Sequence, residues 1–227
     1  FHQSVVLCES DSDCKLYSII HSFLKESSGH YSETLFIHCG GKQRMSRIIG
    51  ALKSLNVDVR VIPDIDVLND EAIIKGIVES CGSDWFFFKH NYDILCANLR
   101  SPKDKLVRTA LLQDIKDLLG RKVDTCLEKA EIDSIRGMLK TTTKWSELKV
   151  SGVAAIPAGD ATNAYNELNA KLKEIGIFVV PVGELECFIR EIGGHGPDWV
   201  NTVLEKYSDF NNSVYDKIKE FISLWGI

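Results

Sequence analysis

Residues 4–13 read SVVLCESDSD, and residues 57–66 read VDVRVIPDID. Each is a short run rich in β-branched and apolar side chains that stops at carboxylates. Glu9, Asp11 and Asp13 follow the first run, and Asp64 and Asp66 follow Pro63 after the second. Short apolar runs bounded by turn residues are the pattern of strands buried on both faces, as parallel sheets require. Helical periodicity follows each strand. Leu16, Ile19, Ile20 and Phe23 lie behind a polar turn with several possible N-caps, and Met45, Ile48, Ile49 and Leu52 follow a further strand-like run at residues 34–38 (TLFIH). A third helix signal covers residues 70–78. This alternation predicts βαβ units and a mostly parallel sheet in an α/β fold.

Outward from this core the pattern changes. Residues 103–140 hold no strand signal. Leu106, Ala110, Leu111, Ile115, Leu118 and Leu119 form one apolar stripe, Ile132, Ile135, Met138 and Leu139 form another, and Gly120 separates them. With the aromatic run WFFF (residues 85–88) at its entry, the segment reads as a helical insertion, its stripes being core-packing faces. The α/β pattern resumes with a predicted strand at residues 152–156 (GVAAI), a helix through Leu168, Leu172 and Ile175, and a helix stop at Gly176. Residues 177–180 (IFVV) read as a buried strand running into PVGELE. Pro197 opens a helix carrying Trp199, Val203 and Leu204, and residues 214–224 give one more. The organisation expected is a core of residues 1–85 and 150–227, with an insertion at 86–149.

The 227 residues are enough to bury a sizeable core, and 44% hydrophobic with 26% charged side chains is the balance of a soluble globular chain. No apolar run approaches the roughly 18 residues of a membrane span, and the first residues lack the basic and apolar regions of a secretory signal. The absence of an initiator Met gives the expectation of a piece cut from a longer protein. The seven cysteines are scattered without a C-x-x-C pair, which predicts reduced, mostly buried thiols in a cytoplasmic protein. A net charge of −5 argues against a simple positive coat for nucleic acid. It leaves room for a nucleic-acid enzyme whose positive charge is a metal cation.

Three predicted strand ends carry acids: Glu9 to Asp13, Asp64 with Asp66, and Glu184 with Glu186. In an open parallel sheet, ligands bind outside the carboxyl ends of the strands. Any one such acid is ordinarily a helix cap or a solvated loop residue; three sets on one rim are a different matter. Two like charges 4 Å apart repel by about 4 kcal/mol at an effective dielectric of ~20. Such a group must keep protons or share a cation, and an all-oxygen set favours Mg²⁺ or Mn²⁺ over zinc. One or two ions of this kind suit phosphodiester hydrolysis.

The order Glu9-x-x-x-Asp13, Gly40-Gly41-Lys42, Asp64-x-Asp66 resembles the TOPRIM fold of topoisomerases, primases and certain nucleases. The GELE turn at residues 183–186, with the Gly196-Pro197-x-Trp199 helix start, is similar to the TOPRIM nuclease of OLD-family (overcoming lysogenization defect) proteins, which include effectors of bacterial antiphage systems. The resemblance implies a Rossmann-like sheet cleaving DNA with two divalent ions. Glu9, Asp13, Asp64, Asp66, Glu184 and Glu186 would be the metal ligands, and Glu9, Asp64, Asp66, Glu186 and His195 the catalytic set. We assign Lys42 and Arg44 to nucleic-acid binding. Two departures stand out: Ser10 replaces a usual glycine, and His195 stands where the family has a basic residue. The family also implies an ABC-type ATPase domain in the parent protein and a homo-oligomer. No G-x-x-x-x-G-K-[ST] element occurs here, so nucleotide hydrolysis is not expected of these residues.

Two rival readings remain. Asp64-Ile65-Asp66-Val67 resembles the nucleophile motif of haloacid-dehalogenase phosphotransferases, and Gly159-Asp160-Ala161-Thr162-Asn163 faintly resembles their last motif. Asp64 would then be a covalent nucleophile and Asp66 an acid/base. Alternatively, a degenerate TOPRIM module serves assembly, with Trp85, Phe86, Phe87, Phe88 and Trp225 at its interface.

Overall fold

A computed structural model describes residues 4–29, 34–99, 108–120, 126–139 and 144–227. Strand β1 (Ser4–Cys8) is the centre of a parallel three-stranded sheet of order β2-β1-β3, with β2 at Thr34–His38 and β3 at Asp58–Ile62. Ser4 lies opposite Thr34 and Asp58, and Cys8 opposite His38 and Ile62, so the strand ends are level. Every residue of β1 is buried, whereas the edge strand β2 is half-buried. That is the environment predicted by the unbroken SVVLC run.

Residues 177–180 run alongside β3 in the same direction. The Val61 N–H donates to the Gly176 carbonyl (2.9 Å), Phe178 N–H to Val61 (2.8 Å), and Val180 N–H to Pro63 (3.0 Å). The predicted fourth strand therefore exists as a parallel ladder, although it forms only a single bridge, Val61 to Ile177. The strand expected at residues 152–156 does not form. Gly152–Ala155 is a 3₁₀ turn, because Gly152 takes φ +61° and presses its backbone onto residues 181–182, with a Val153 N–H bond to the Pro181 carbonyl at 2.9 Å. A Cβ on Gly152 would lie 2.1 Å from that carbonyl oxygen. A short apolar run reads the same in a strand and in such a turn.

Helices cover both sheet faces. Leu7, Val59 and Val61 face one core with α2 (Met45–Ser54), α3 (Glu71–Ser80), α4 (Phe86–Leu99) and, after the intervening segment, α8 (Asp160–Glu174). Val6, Cys8 and Ile62 face the other, with α1 (Asp11–Ser27), α9 (Gly196–Lys206) and α10 (Asp216–Ser223). The result is a three-layer α/β/α arrangement, consistent with a TOPRIM, Rossmann-like fold. Among the described residues no helix is long and apolar enough to cross a membrane.

The segment read as an insertion divides. Helix α4 packs against α8 and buries Phe88, Tyr92 and Leu95 beside Trp85. Helix α7 (Lys144–Ser151) buries Leu148 in the same core. Helices α5 (Arg108–Leu119) and α6 (Lys129–Leu139) pack on each other and bury no described side chain. Within the predicted stripes, Leu106 and the side chains of Ala110, Met138 and Leu139 lie outside the described residues. Of the aromatic run, Trp85 and Phe88 are core, as is Trp225, while Phe86 and Phe87 are exposed. Cys8, Cys14, Cys39 and Cys96 are buried, Cys81 and Cys187 partly so, Cys126 is exposed, and all seven are free thiols.

Gly183 holds α7 against the rim of the sheet. At φ +117° its Cα faces the end of α7, and an added Cβ would fall 2.1 Å from the Lys149 carbonyl oxygen. Both contacts are backbone, so nothing can swing aside. Gly183→Ala is expected to lose about 2 kcal/mol or more of stability in urea denaturation; a loss within about 0.5 kcal/mol, the range of neutral surface changes, would refute this packing.

Candidate metal centre

Level parallel strands bring their following residues to one rim. Glu9 leaves β1, Asp64 lies two residues past the end of β3, and the 181–184 segment is tied beside it by the Ile65 N–H bond to the Gly183 carbonyl (3.0 Å). There a cleft of about 440 Å³ is lined by Glu9, Ser10, Asp13, Asp64, Lys149, Glu184, Glu186, His195 and Gly196. Five of the six predicted acids share that wall. The sixth, Asp66, is outside that lining but close enough for its charge to act on both Glu9 and Asp64.

Each acid is held by local structure. Ser10 is the N-cap of α1 in a capping box: its N–H donates to Asp13 Oδ2 (2.8 Å), and Asp13 N–H donates to its hydroxyl (3.3 Å). At φ −122° and ψ 165° Ser10 needs no glycine, so its departure from the family pattern costs the backbone nothing. Glu186 Oε1 accepts the Gly196 N–H at the start of α9 (2.8 Å), where the helix dipole favours a negative charge. Asp66 Oδ1 lies 2.7 Å from Lys42 Nζ, and Glu184 Oε2 lies 3.2 Å from Lys149 Nζ.

The acids disturb one another. Burial pushes the Asp13 carboxyl up to about 6 against the pull of its Ser10 bonds, with the Glu9 and Glu186 charges adding to the rise. Burial also raises Asp64 well above the usual range, reinforced by Asp13, Glu9, Asp66 and Glu184. Glu9 is raised by burial and then by Asp66, while the Lys42 ammonium and backbone N–H and the Lys149 charge oppose this. Burial works against charge on Lys149 too, but its bond to Glu184 and the nearby Asp66 and Asp64 hold its ammonium firmly protonated. Oε2 of Glu9 is buried without a hydrogen-bond partner. So is the hydroxyl of Tyr17, one turn along α1, which feels the Asp13 and Asp64 charges.

These residues fit a hard divalent ion in donor chemistry and in charge. The rim offers carboxylate oxygens, an orphaned one on Glu9, and acids that retain protons for want of positive charge. Among the described residues no three acid, His or Cys side chains are already drawn into one ligand sphere. The acids line the cleft, and closing a sphere takes side-chain rotation.

His195 lines the cleft at the N-terminus of α9, where the sequence placed it. Lys42 turns inward to Asp66, and Arg44 is exposed, folded back over Gly40. Sequence reasoning missed Lys149. It sits near the end of α7 with no motif around it, and the only hint was the Gly152 and Gly183 pair that brings the two backbones together. Asp160 and its neighbours, the second motif of the dehalogenase reading, open α8 on an exposed turn outside the cleft lining.

The parallel sheet and its acid rim are consistent with an α/β fold of the TOPRIM type. The family described as "Overcoming lysogenization defect protein-like, TOPRIM domain" matches residues 1–66. The matched stretch takes in β1 through β3 with Glu9, Asp13, Asp64 and Asp66, and leaves Lys149, Glu184, Glu186 and His195 outside it. No curated protein and no solved structure matches the chain.

The raised carboxyls make stability pH-dependent once divalent ions are chelated. A carboxyl raised in the folded state binds protons there that the unfolded chain has released, so stability falls as pH rises from about 4 through the Asp13 value of about 6. Urea denaturation in chelator should show higher stability at pH 5 than at pH 8. Asp13→Asn, which keeps the acceptor for Ser10, should add about 2 kcal/mol at pH 8 and little below pH 4. An unchanged pH profile in that variant would remove the assignment.

Proposed function

We propose that this chain is a metal-dependent DNA endonuclease domain, the nuclease half of an OLD-family ATPase–nuclease acting in bacterial antiphage defence. The observation that carries the reading is the buried, unpartnered Glu9 Oε2 at a rim where five carboxylates from three separate chain segments share one cleft. Bound divalent ions, Mg²⁺ or Mn²⁺, supply Lewis acidity for phosphodiester hydrolysis. Glu9, Asp64, Asp66 and Glu186 hold them.

The remaining groups orient and charge the site. Ser10 fixes Asp13, which stores a proton up to about pH 6. The Gly196 amide fixes Glu186, and Lys149 fixes Glu184 while keeping a positive charge at the cleft wall. A phosphate entering the cleft meets Lys149 and His195 as its cationic or hydrogen-bonding contacts. Lys149 thus shares with His195 the charge-stabilising role at the phosphate.

Plasmid DNA incubated with Mg²⁺ or Mn²⁺ should be cleaved, and chelator should stop the reaction. Glu9→Ala should lower the rate by about a hundredfold or more, roughly 3 kcal/mol of barrier. Calorimetric uptake of Mn²⁺ separates an inactive but competent domain, in need of its ATPase half, from a scaffold. Cleavage that survives chelation, or no Mn²⁺ uptake at all, overturns the reading.

A further inference from the structure

We propose that Lys42 is a tethered cation that competes with the divalent ion for Asp66, and so sets the ion concentration at which the centre fills. The inference rests on the metal-centre reading above. Lys42 follows a double glycine and would be free to reach outward toward nucleic acid, yet its ammonium lies 2.7 Å from Asp66 Oδ1 and donates to the Asp66 carbonyl at 3.1 Å. Both side chains are largely withdrawn from solvent, at 17% and 27% exposure, so the pair is screened less than a surface one.

The backbone enforces this placement. The N–H groups of Gly40 and Gly41 both donate to the Glu9 carbonyl at 3.1 Å, with Gly40 at φ +68° and Gly41 at φ +116°. The loop after β2 is thereby folded over the end of β1. Residue 42 emerges from it next to the acids, as the first residue of a short 3₁₀ turn into α2. The ammonium charge also reaches Glu9, where it opposes the effect of burial.

An ion ligated by Asp66 shares that carboxylate with the ammonium 2.7 Å from Oδ1, and the two positive charges repel. The lysine stem is flexible and its ammonium is a point charge without a fixed bidentate geometry, so it can withdraw when a divalent ion outbids it. Competition and simple positioning of Asp66 predict opposite signs. Removing a competitor tightens ion binding, whereas removing a positioning contact weakens it.

Calorimetric titration of the chain with Mn²⁺ decides between them. Lys42→Met should bind Mn²⁺ about tenfold more tightly than wild type. Arg47→Met, which removes the same charge from an exposed position on α2, should bind as wild type does. In chelator, Lys42→Met should melt below wild type because Asp66 loses its partner, and Mn²⁺ should raise its melting temperature by more. If Lys42→Met does not fold, Lys42→Gln supplies the uncharged variant, with the same tightening expected. Equal or weaker binding by the position-42 variant, or equal tightening by Arg47→Met, overturns the inference. Wild-type protein that takes up no Mn²⁺ at millimolar concentration sinks the metal-centre reading itself, a distinguishable failure.

Discussion

Repulsion among carboxylates at the rim of a parallel sheet is the constraint from which the rest of this structure follows. Glu9, Asp13, Asp64, Glu184 and Glu186 line one cleft, and Asp66 acts on it from outside the lining. In so low a dielectric each adjacent pair costs more than a surface pair would. The chain relieves this in three ways at once: Asp13 and Asp64 take up protons more readily, Lys42 and Lys149 each sit on one acid, and the amides of Ser10 and Gly196 donate to Asp13 and Glu186. Glu9 Oε2 is left without a hydrogen-bond partner. A fold tuned for stability alone would have little use for that arrangement.

The glycines of the rim serve the same constraint by bringing backbones closer than side chains would permit. Gly40 and Gly41 fold the β2 loop onto the Glu9 carbonyl and so deliver Lys42. Gly152 and Gly183 let the end of α7 lie against residues 181–183 and so deliver Lys149. In both cases positive φ and close approach are required together, and in both the consequence is a cation among acids. Charge and backbone geometry are coupled here: altering either glycine pair moves an ammonium as well as a loop.

What could be read from the sequence was what is local. The apolar runs at residues 4–8 and 58–62, the helices behind them, and the acids that follow each strand are encoded within a few residues, and the structure forms those strands and helices where they were read. Parallel pairing then brings Glu9 and Asp64 to the same rim without further information. Lys149 and the inward turn of Lys42 depend on contacts between segments far apart in the chain, which neither periodicity nor propensity encodes. The misread strand at residues 152–156 failed for the opposite reason. Its local pattern was adequate, but a left-handed Gly152 seated against Pro181 overrode it. Within residues 86–149 the helices differ in how they pack. The apolar faces of α4 and α7 look like those of α5 and α6 in sequence, and only packing against α8 and the rim reveals that the first two are core.

The same distinction bears on how specificity for chemistry is divided along the chain. The family match ends at Asp66, after the strands and four of the acids. The groups that complete the cleft come from beyond it: Lys149 on α7, Glu184 and Glu186 after the β3-paired segment, and His195 at the start of α9. Four of the six acids therefore sit in the stretch that matches the family. Lys149 and His195, which line the same cleft, come from a helix end and a helix start whose positions are fixed by packing. A sheet end tolerates little change, because moving one strand moves several acids, whereas a helix terminus can exchange a lysine for a histidine without disturbing the strands beneath. That asymmetry separates the acids, tied to the strand ends, from Lys149 and His195, which are carried by helix termini.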